Sequence, residues 1–71
     1  MPIIECTILE GRSEEQLKEF VEAITEVAVK KLNAVPEYVT VVLREMPKNR
    51  VAHAGIFADK PGNPVTDRKK Q

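Results

Sequence analysis

The first segment of the chain mixes apolar and polar residues in a way that predicts a β-strand over residues 2–9. One predicted face carries Pro2, Ile4, Cys6 and Ile8, and the other carries Ile3, Glu5, Thr7 and Leu9. Because both faces include apolar residues, we expect the strand to be covered on both sides. A proline at the first position of a strand removes no hydrogen bond from the middle of a sheet.

A longer amphipathic segment follows and predicts an α-helix of about twenty residues, roughly 30 Å long. Ser13 and Gln16 have the spacing of a capping box at its start. Asn33 can adopt a left-handed conformation at its end, and Pro36 forbids continuation. The apolar stripe comprises Leu17, Phe20, Val21, Ile24, Val27, Ala28 and Leu32.

Residues 39–46 are rich in β-branched side chains and predict a second strand. The order strand, helix, strand predicts a parallel pair joined by a right-handed crossover, which is a single β-α-β unit of the α/β (α+β) class. Two strands and one helix leave sheet edges bare, so we expect dimers with a four-stranded sheet and two helices.

The pattern weakens after the second strand. Residues 50–57 predict a short hairpin around Ala54-Gly55. Residues 59–71 contain two prolines, one glycine and a basic end, and predict an extended or disordered arm. The expected domain is therefore residues 2–58.

Composition and charge narrow the function classes. The chain has 71 residues, and its eleven basic residues balance eleven acidic ones, so no net field favours nucleic acid or a membrane surface. No apolar run is long enough for a membrane span and no signal peptide is recognisable. A single cysteine, Cys6, suits a reducing compartment and predicts a small buried apolar residue. One histidine and one cysteine do not make a metal site. We expect a soluble cytoplasmic oligomer without a metal site.

Several features together resemble the 4-oxalocrotonate tautomerase family over residues 2–58. They are Pro2, the turn Leu9-Glu10-Gly11-Arg12-Ser13, the helix after it and the strand that ends in Glu45-Met46. The resemblance implies a β-α-β subunit, commonly assembled as a hexamer of three dimers. It also implies an amino-terminal proline that acts as base and acid on enol or 2-keto acids without a cofactor. The small ring of Pro2 favours removal of Met1, which would leave a free secondary amine.

Residue by residue, the match to the family is uneven. Pro2 matches the catalytic proline, and Arg12 matches an arginine that binds a substrate carboxylate across a subunit boundary. Leu9 falls where a backbone group near the site belongs. The family's second arginine falls at Thr40, and its hairpin aromatic falls at Val51. We therefore expect weaker carboxylate binding, or a partner subunit of different sequence that supplies the missing arginine.

Three further residues are candidates for the site. Arg44 lies on the same strand face as Thr40 but roughly 13 Å further along. Arg50 lies one residue before the aromatic position. For both arginines a solvated or interface charge is the more ordinary interpretation. His53 occupies the region where related chloroacrylic acid dehalogenases carry a water-activating glutamate, and it could activate water, although a partly exposed loop histidine is more ordinary.

These residues predict a tautomerase of 2-hydroxy-dienoate or 2-keto acids, with Pro2 as general acid and base and Arg12 on the carboxylate. Apolar surroundings would lower the pKa of the proline amine and keep it neutral. The resemblance suggests a role in aromatic compound catabolism. One alternative is a hydratase or dehalogenase of unsaturated acids with a cationic Pro2. Another is one subunit of a heterohexamer with an incomplete site.

Overall fold

The computed structural model describes residues 2–67, and within them the predicted β-α-β unit with a hairpin after it is confirmed. The elements are β1 (Ile3–Leu9), α1 (Glu14–Leu32), a 3-10 turn (Pro36–Tyr38), β2 (Thr40–Met46), a second 3-10 turn (Lys48–Arg50), β3 (Ala52–His53) and β4 (Ile56–Phe57). The chain divides into two compact units. The first comprises residues 2–7 and Gly11–Arg44, and the second comprises Ile8–Glu10 and residues 45–67.

Strands β1 and β2 pair in a two-stranded sheet. The backbone N–H of Thr40 donates to the carbonyl of Pro2 at 3.1 Å where the strands begin. The N–H of Glu10 donates to the carbonyl of Met46 at 2.9 Å where they end. Because both partners advance along the chain together, the strands are parallel, and α1 supplies the crossover that parallel strands need.

The two faces of β1 differ in burial. Ile4, Cys6 and Ile8 are half-buried, whereas Glu5 is exposed and Ile3 on the same face is 60% exposed. The expectation of cover on both faces is therefore wrong for a single chain, because the one helix between β1 and β2 can cover only one side of the pair. Cys6 is likewise half-buried, not fully buried as expected.

Helix α1 begins and ends where the sequence predicts. The backbone N–H of Gln16 donates to Ser13 Oγ at 3.1 Å, and the N–H of Ser13 donates to Gln16 Oε1 at 3.0 Å, which completes the capping box. Asn33 ends the helix in the left-handed conformation, with φ of 56°. Leu17 and Ala28 are the buried residues of its apolar stripe.

The predicted hairpin lies in the second unit. Strands β3 and β4 are antiparallel, with Ala52 opposite Phe57 and His53 opposite Ile56. Ala54 and Gly55 between them have φ of 53° and 78°. Two successive positive φ angles are typical of a type I′ turn, whose twist matches that of the strands.

Residues 59–67 form a series of turns, where the sequence predicts an extended or disordered arm. The prediction is wrong over this range because Asn63 is fully buried and its side chain organises the surrounding backbone. Thr66 Oγ1 also donates to the carbonyl of Ala58 at 2.7 Å. Residues 68–71 of the predicted arm lie outside the described residues, and the domain boundary at residue 58 stays a prediction.

Candidate active site

Pro2 immediately precedes β1, and its ring is half-buried. Its carbonyl accepts from the N–H of Thr40, which fixes the start of one strand against the other. Pro2 shares its strand face with Ile4. Ile4 in turn lines an apolar hollow of about 330 Å³ in the first unit. The other lining residues are Ile24, Val27, Ala28, Lys31 and Leu32.

Arg12 lies in the turn between β1 and α1, and its side chain is exposed. Gly11 before it has φ of 127°, a conformation that side chains rarely adopt, so glycine allows the turn that presents Arg12. Pro2 and Arg12 flank the seven residues of β1. At about 3.3 Å per residue, β1 alone spans roughly 23 Å between them. We therefore expect that a small substrate does not contact both residues in one chain.

Thr40 is the first residue of β2 and is exposed. Its backbone bond to Pro2 places it beside the predicted catalytic residue. The position that the resemblance assigns to a second arginine therefore carries a neutral hydroxyl side chain, on a residue whose backbone is bonded to the proline.

Arg44 lies further along β2 and is engaged by a carboxylate on β1. Its Nη2 donates to Glu5 Oε1 at 2.6 Å, and the two side chains are 52% and 55% exposed. An ion pair this exposed contributes little to stability, but it holds the guanidinium against the strand pair. The structure thus places Arg44 in a cross-strand ion pair and not beside Pro2.

Three further candidate residues lie in the second unit, namely Leu9, Arg50 and Val51. Leu9 ends β1 and is half-buried. Val51 is half-buried, and its carbonyl accepts from the N–H of Ala58 at 2.8 Å. Arg50 is exposed, and its Nη1 donates to the carbonyl of Asn49 at 2.9 Å. These contacts fix the backbone of the segment without giving Arg50 an acidic partner within residues 2–67.

His53 is half-buried, and its Nδ1 lies 3.2 Å from Nδ2 of Asn63. Sequence reasoning missed Asn63 because it falls in the predicted arm. The dipeptide Asn63-Pro64 was the available signal, since asparagine before proline favours a turn and its side chain can accept from the backbone two residues on. The N–H of Val65 makes that bond at 2.8 Å.

The part of the chain that the structure describes has neither a metal-binding cluster nor a membrane-spanning helix. Residues 2–67 contain no group of three or more His, Cys, Asp or Glu side chains able to hold a metal ion. No helix within this range is long and apolar enough to cross a membrane.

Comparison of the β-α-β fold and its sequence with known proteins identifies the class of this chain as a small isomerase subunit. A family model described as tautomerase enzyme matches residues 2–57, so the chain belongs to the tautomerase family. The 2-hydroxymuconate tautomerase of Pseudomonas putida is 42% identical over 60 residues, which cover 84% of this chain and 95% of that protein. The chain is accordingly a tautomerase, an enzyme of the isomerase class.

Solved structures support the same assignment. A crystal structure of a 4-oxalocrotonate tautomerase homologue has a TM-score of 0.81 and 36% identity, and the match covers 87% of this chain and 100% of that chain. A heterohexameric 4-oxalocrotonate tautomerase from Chloroflexus aurantiacus J-10-fl has a TM-score of 0.76 and 30% identity. The match covers 80% of this chain and 92% of that chain. The resemblance noted in the sequence and the fold class are confirmed, and at least one relative assembles as a heterohexamer.

Proposed function

We propose that this tautomerase converts 2-hydroxy-dienoates or related enols to 2-keto acids, with the amino-terminal nitrogen of Pro2 as general base and acid. The nitrogen takes the proton of the 2-hydroxyl group, the C2–O bond becomes a carbonyl, and the same proton is delivered to a carbon of the conjugated chain. No net oxidation occurs, so the step needs no redox cofactor. The observation that carries the proposal is the half-buried Pro2 at the start of β1 in a chain of the tautomerase family.

The proposal requires that Pro2 be the first residue of the active protein. If Met1 is retained, the proline nitrogen is part of an amide and has no basicity. Once Met1 is removed, the nitrogen is a secondary amine, and apolar surroundings disfavour its ammonium form. The half-buried ring supports such surroundings, and Ile4 on the same strand face lines an apolar hollow.

Arg12 is the proposed carboxylate ligand. Its planar guanidinium can donate two parallel hydrogen bonds to a carboxylate, which lysine cannot reproduce. It can also stabilise negative charge that moves toward the far end of a conjugated acid. Because Pro2 and Arg12 lie at opposite ends of β1, we propose that each site combines Pro2 of one chain with Arg12 of another.

An oligomer, either a homohexamer or a heterohexamer, is therefore part of the proposal. Exposed apolar side chains of the first unit support it: Ile3 is 60%, Val27 is 58% and Leu32 is 65% exposed. Apolar surface of this extent on a small chain is commonly covered by association. The heterohexameric relative supports the version in which a partner of different sequence supplies the arginine that Thr40 replaces.

The substrate class follows from the relatives and from the proposed ligands. The P. putida relative is named for 2-hydroxymuconate, which supports a 2-hydroxy-dienoate here. A role in aromatic compound catabolism and a cytoplasmic location belong to the same proposal. The expected partners are a small carboxylate substrate and other subunits.

Steady-state ketonisation of 2-hydroxymuconate tests the proposal. Pro2→Ala should lower kcat at least about 100-fold, because it replaces the positioned secondary amine. Arg12→Ala should raise KM about tenfold or more, because it removes a charge-assisted contact to the carboxylate. Lys18→Ala, which removes an exposed cation of α1 paired with Glu22, is the matched control and should change neither constant. Equal activity of wild type and Pro2→Ala would refute the proposal.

The pH dependence separates this proposal from the hydratase alternative. A tautomerase that starts with neutral Pro2 loses kcat/KM as pH falls and the amine becomes protonated. A hydratase that uses prolinium as an acid loses activity as pH rises. Activity that persists only on the acidic side would favour the hydratase.

A further inference from the structure

One side chain, Asn63, holds together the turns that follow β4. It is fully buried, and its Oδ1 accepts from the backbone N–H groups of Val65 and Thr66, both at 2.8 Å. Its Nδ2 donates to the carbonyl of Ile56 at 2.8 Å. Because a backbone N–H only donates and a carbonyl only accepts, these three bonds fix which end of the amide is the nitrogen.

The second hydrogen of that amide nitrogen determines the state of His53. Nδ2 of Asn63 lies 3.2 Å from Nδ1 of His53. An amide nitrogen donates and does not accept, so Nδ1 must be the acceptor and carries no hydrogen. The neutral ring therefore carries its hydrogen on Nε2. Turning the amide over to suit the opposite tautomer would break all three backbone bonds of Asn63.

The other ring nitrogen, Nε2, is left for a partner outside residues 2–67. Within this range Asn63 is the hydrogen-bond partner of the ring, and no buried side-chain nitrogen or oxygen lacks a partner. Nε2 therefore reaches the surface of the chain from a half-buried ring. What it presents there is an N–H donor, which suits an anionic oxygen and has no lone pair to take a proton from water.

We propose that Asn63 is a positioning residue that fixes His53 as an Nε2–H hydrogen-bond donor for a carboxylate. The carboxylate as ligand rests on the proposed function, in which the substrate is a 2-hydroxy or 2-keto acid. The tautomer rests only on the contacts of Asn63. A His53 held in this way does not activate water, so the hydratase alternative loses His53 as its base and would need an acidic residue in that role.

The tautomer can be measured directly because the chain has one histidine. Long-range proton–nitrogen correlation of histidine-labelled protein, at about pH 8 where an ordinary imidazole is neutral, resolves the two ring nitrogens. We expect a protonated Nε2 and an unprotonated Nδ1 in the wild type. Asn63→Asp replaces the donor by an acceptor and should reverse the pattern. A wild-type ring protonated at Nδ1, or an Asn63→Asp ring unchanged from wild type, would overturn the proposal. The wild-type spectrum alone decides if the variant does not fold.

The donor role is tested with 2-oxoadipate as the probe on the assembled protein. Binding of 2-oxoadipate should shift the Nε2–H resonance. His53→Phe should raise the Kd about tenfold, which is the effect of losing one hydrogen bond to a charged acceptor. His53→Gln, whose amide can still donate, should retain more affinity than His53→Phe. An Nε2–H resonance that does not respond, or a Kd unchanged in His53→Phe, would overturn the donor role. Neither measurement needs turnover, so failure here is distinct from the ketonisation result that would refute the proposed function.

Discussion

Thr40 is the residue whose chemistry departs most from what the resemblance implies. It lies beside Pro2 and carries a neutral hydroxyl where the family's second arginine is expected. The consequence concerns substrates with two carboxylates. In the proposed function one of these groups binds Arg12, while the other meets no cation contributed by Thr40.

Thr40→Arg should therefore strengthen binding of a dicarboxylate. We expect the KM for 2-hydroxymuconate to fall about tenfold, the effect of one added charge-assisted contact. The KM for the monocarboxylate 2-hydroxy-2,4-pentadienoate should change little. Thr40→Gln, which adds length without charge, is the control. Equal effects of arginine and glutamine would show that position 40 does not contact the carboxylate.

Removal of Met1 is a second prediction at the scale of one residue. The small ring of Pro2 favours trimming, and the proposed chemistry requires it. Intact mass spectrometry of the active protein should give a mass that is lower than the mass of the full sequence by one methionine residue. Full activity from protein that retains Met1 quantitatively would contradict a role for the proline nitrogen.

Residues differ in how far the sequence alone could indicate their roles. Pro2 and Arg12 stand out because a motif surrounds them, and Thr40 stands out as a departure from that motif. Asn63 could not be recognised in the same way, since its partners include His53 and Ile56, which folding brings together from earlier in the chain. The ion pair of Arg44 with Glu5 also depends on strand register, which periodicity does not give.

At the scale of elements, local signals account for most of the fold. The capping box and Asn33 set the ends of α1, and its apolar stripe sets the face that packs. The hairpin follows from Ala54-Gly55. The segment after β4 differs from the sequence prediction, because its composition suggests disorder whereas one buried asparagine side chain satisfies several backbone groups there.

The hairpin turn allows a prediction about stability. Ala54 has φ of 53°, a conformation that asparagine tolerates better than alanine, and Asn-Gly is the preferred type I′ pair. Ala54→Asn should raise the free energy of unfolding by about 0.5–1 kcal/mol. Denaturant unfolding at one fixed protomer concentration measures it. Ala54→Val, with a β-branched side chain, should be destabilising, and the reverse order of the two variants would contradict the turn assignment.

At the scale of the whole molecule, a single chain is an incomplete structure for the proposed chemistry. One face of β1 is exposed, and Ile3 on it is apolar. The proposed base and the proposed carboxylate ligand flank the same strand, so we expect them not to form one site within one chain. A second copy or a related subunit placed against the strand pair would cover the exposed face of β1. It would also complete the proposed site.

Activity of mixed assemblies tests this account most directly. Pro2→Ala and Arg12→Ala subunits are co-expressed with different tags. Complexes carrying both tags are assayed for ketonisation well below KM, where each variant alone should retain about a tenth of wild-type kcat/KM or less. If each site takes its proline and its arginine from different chains, random mixing should restore about a quarter of the wild-type activity. Pro2→Ala mixed with the double variant Pro2→Ala/Arg12→Ala should restore none. Activity of the first mixture equal to the average of its two parents would contradict a site shared between chains.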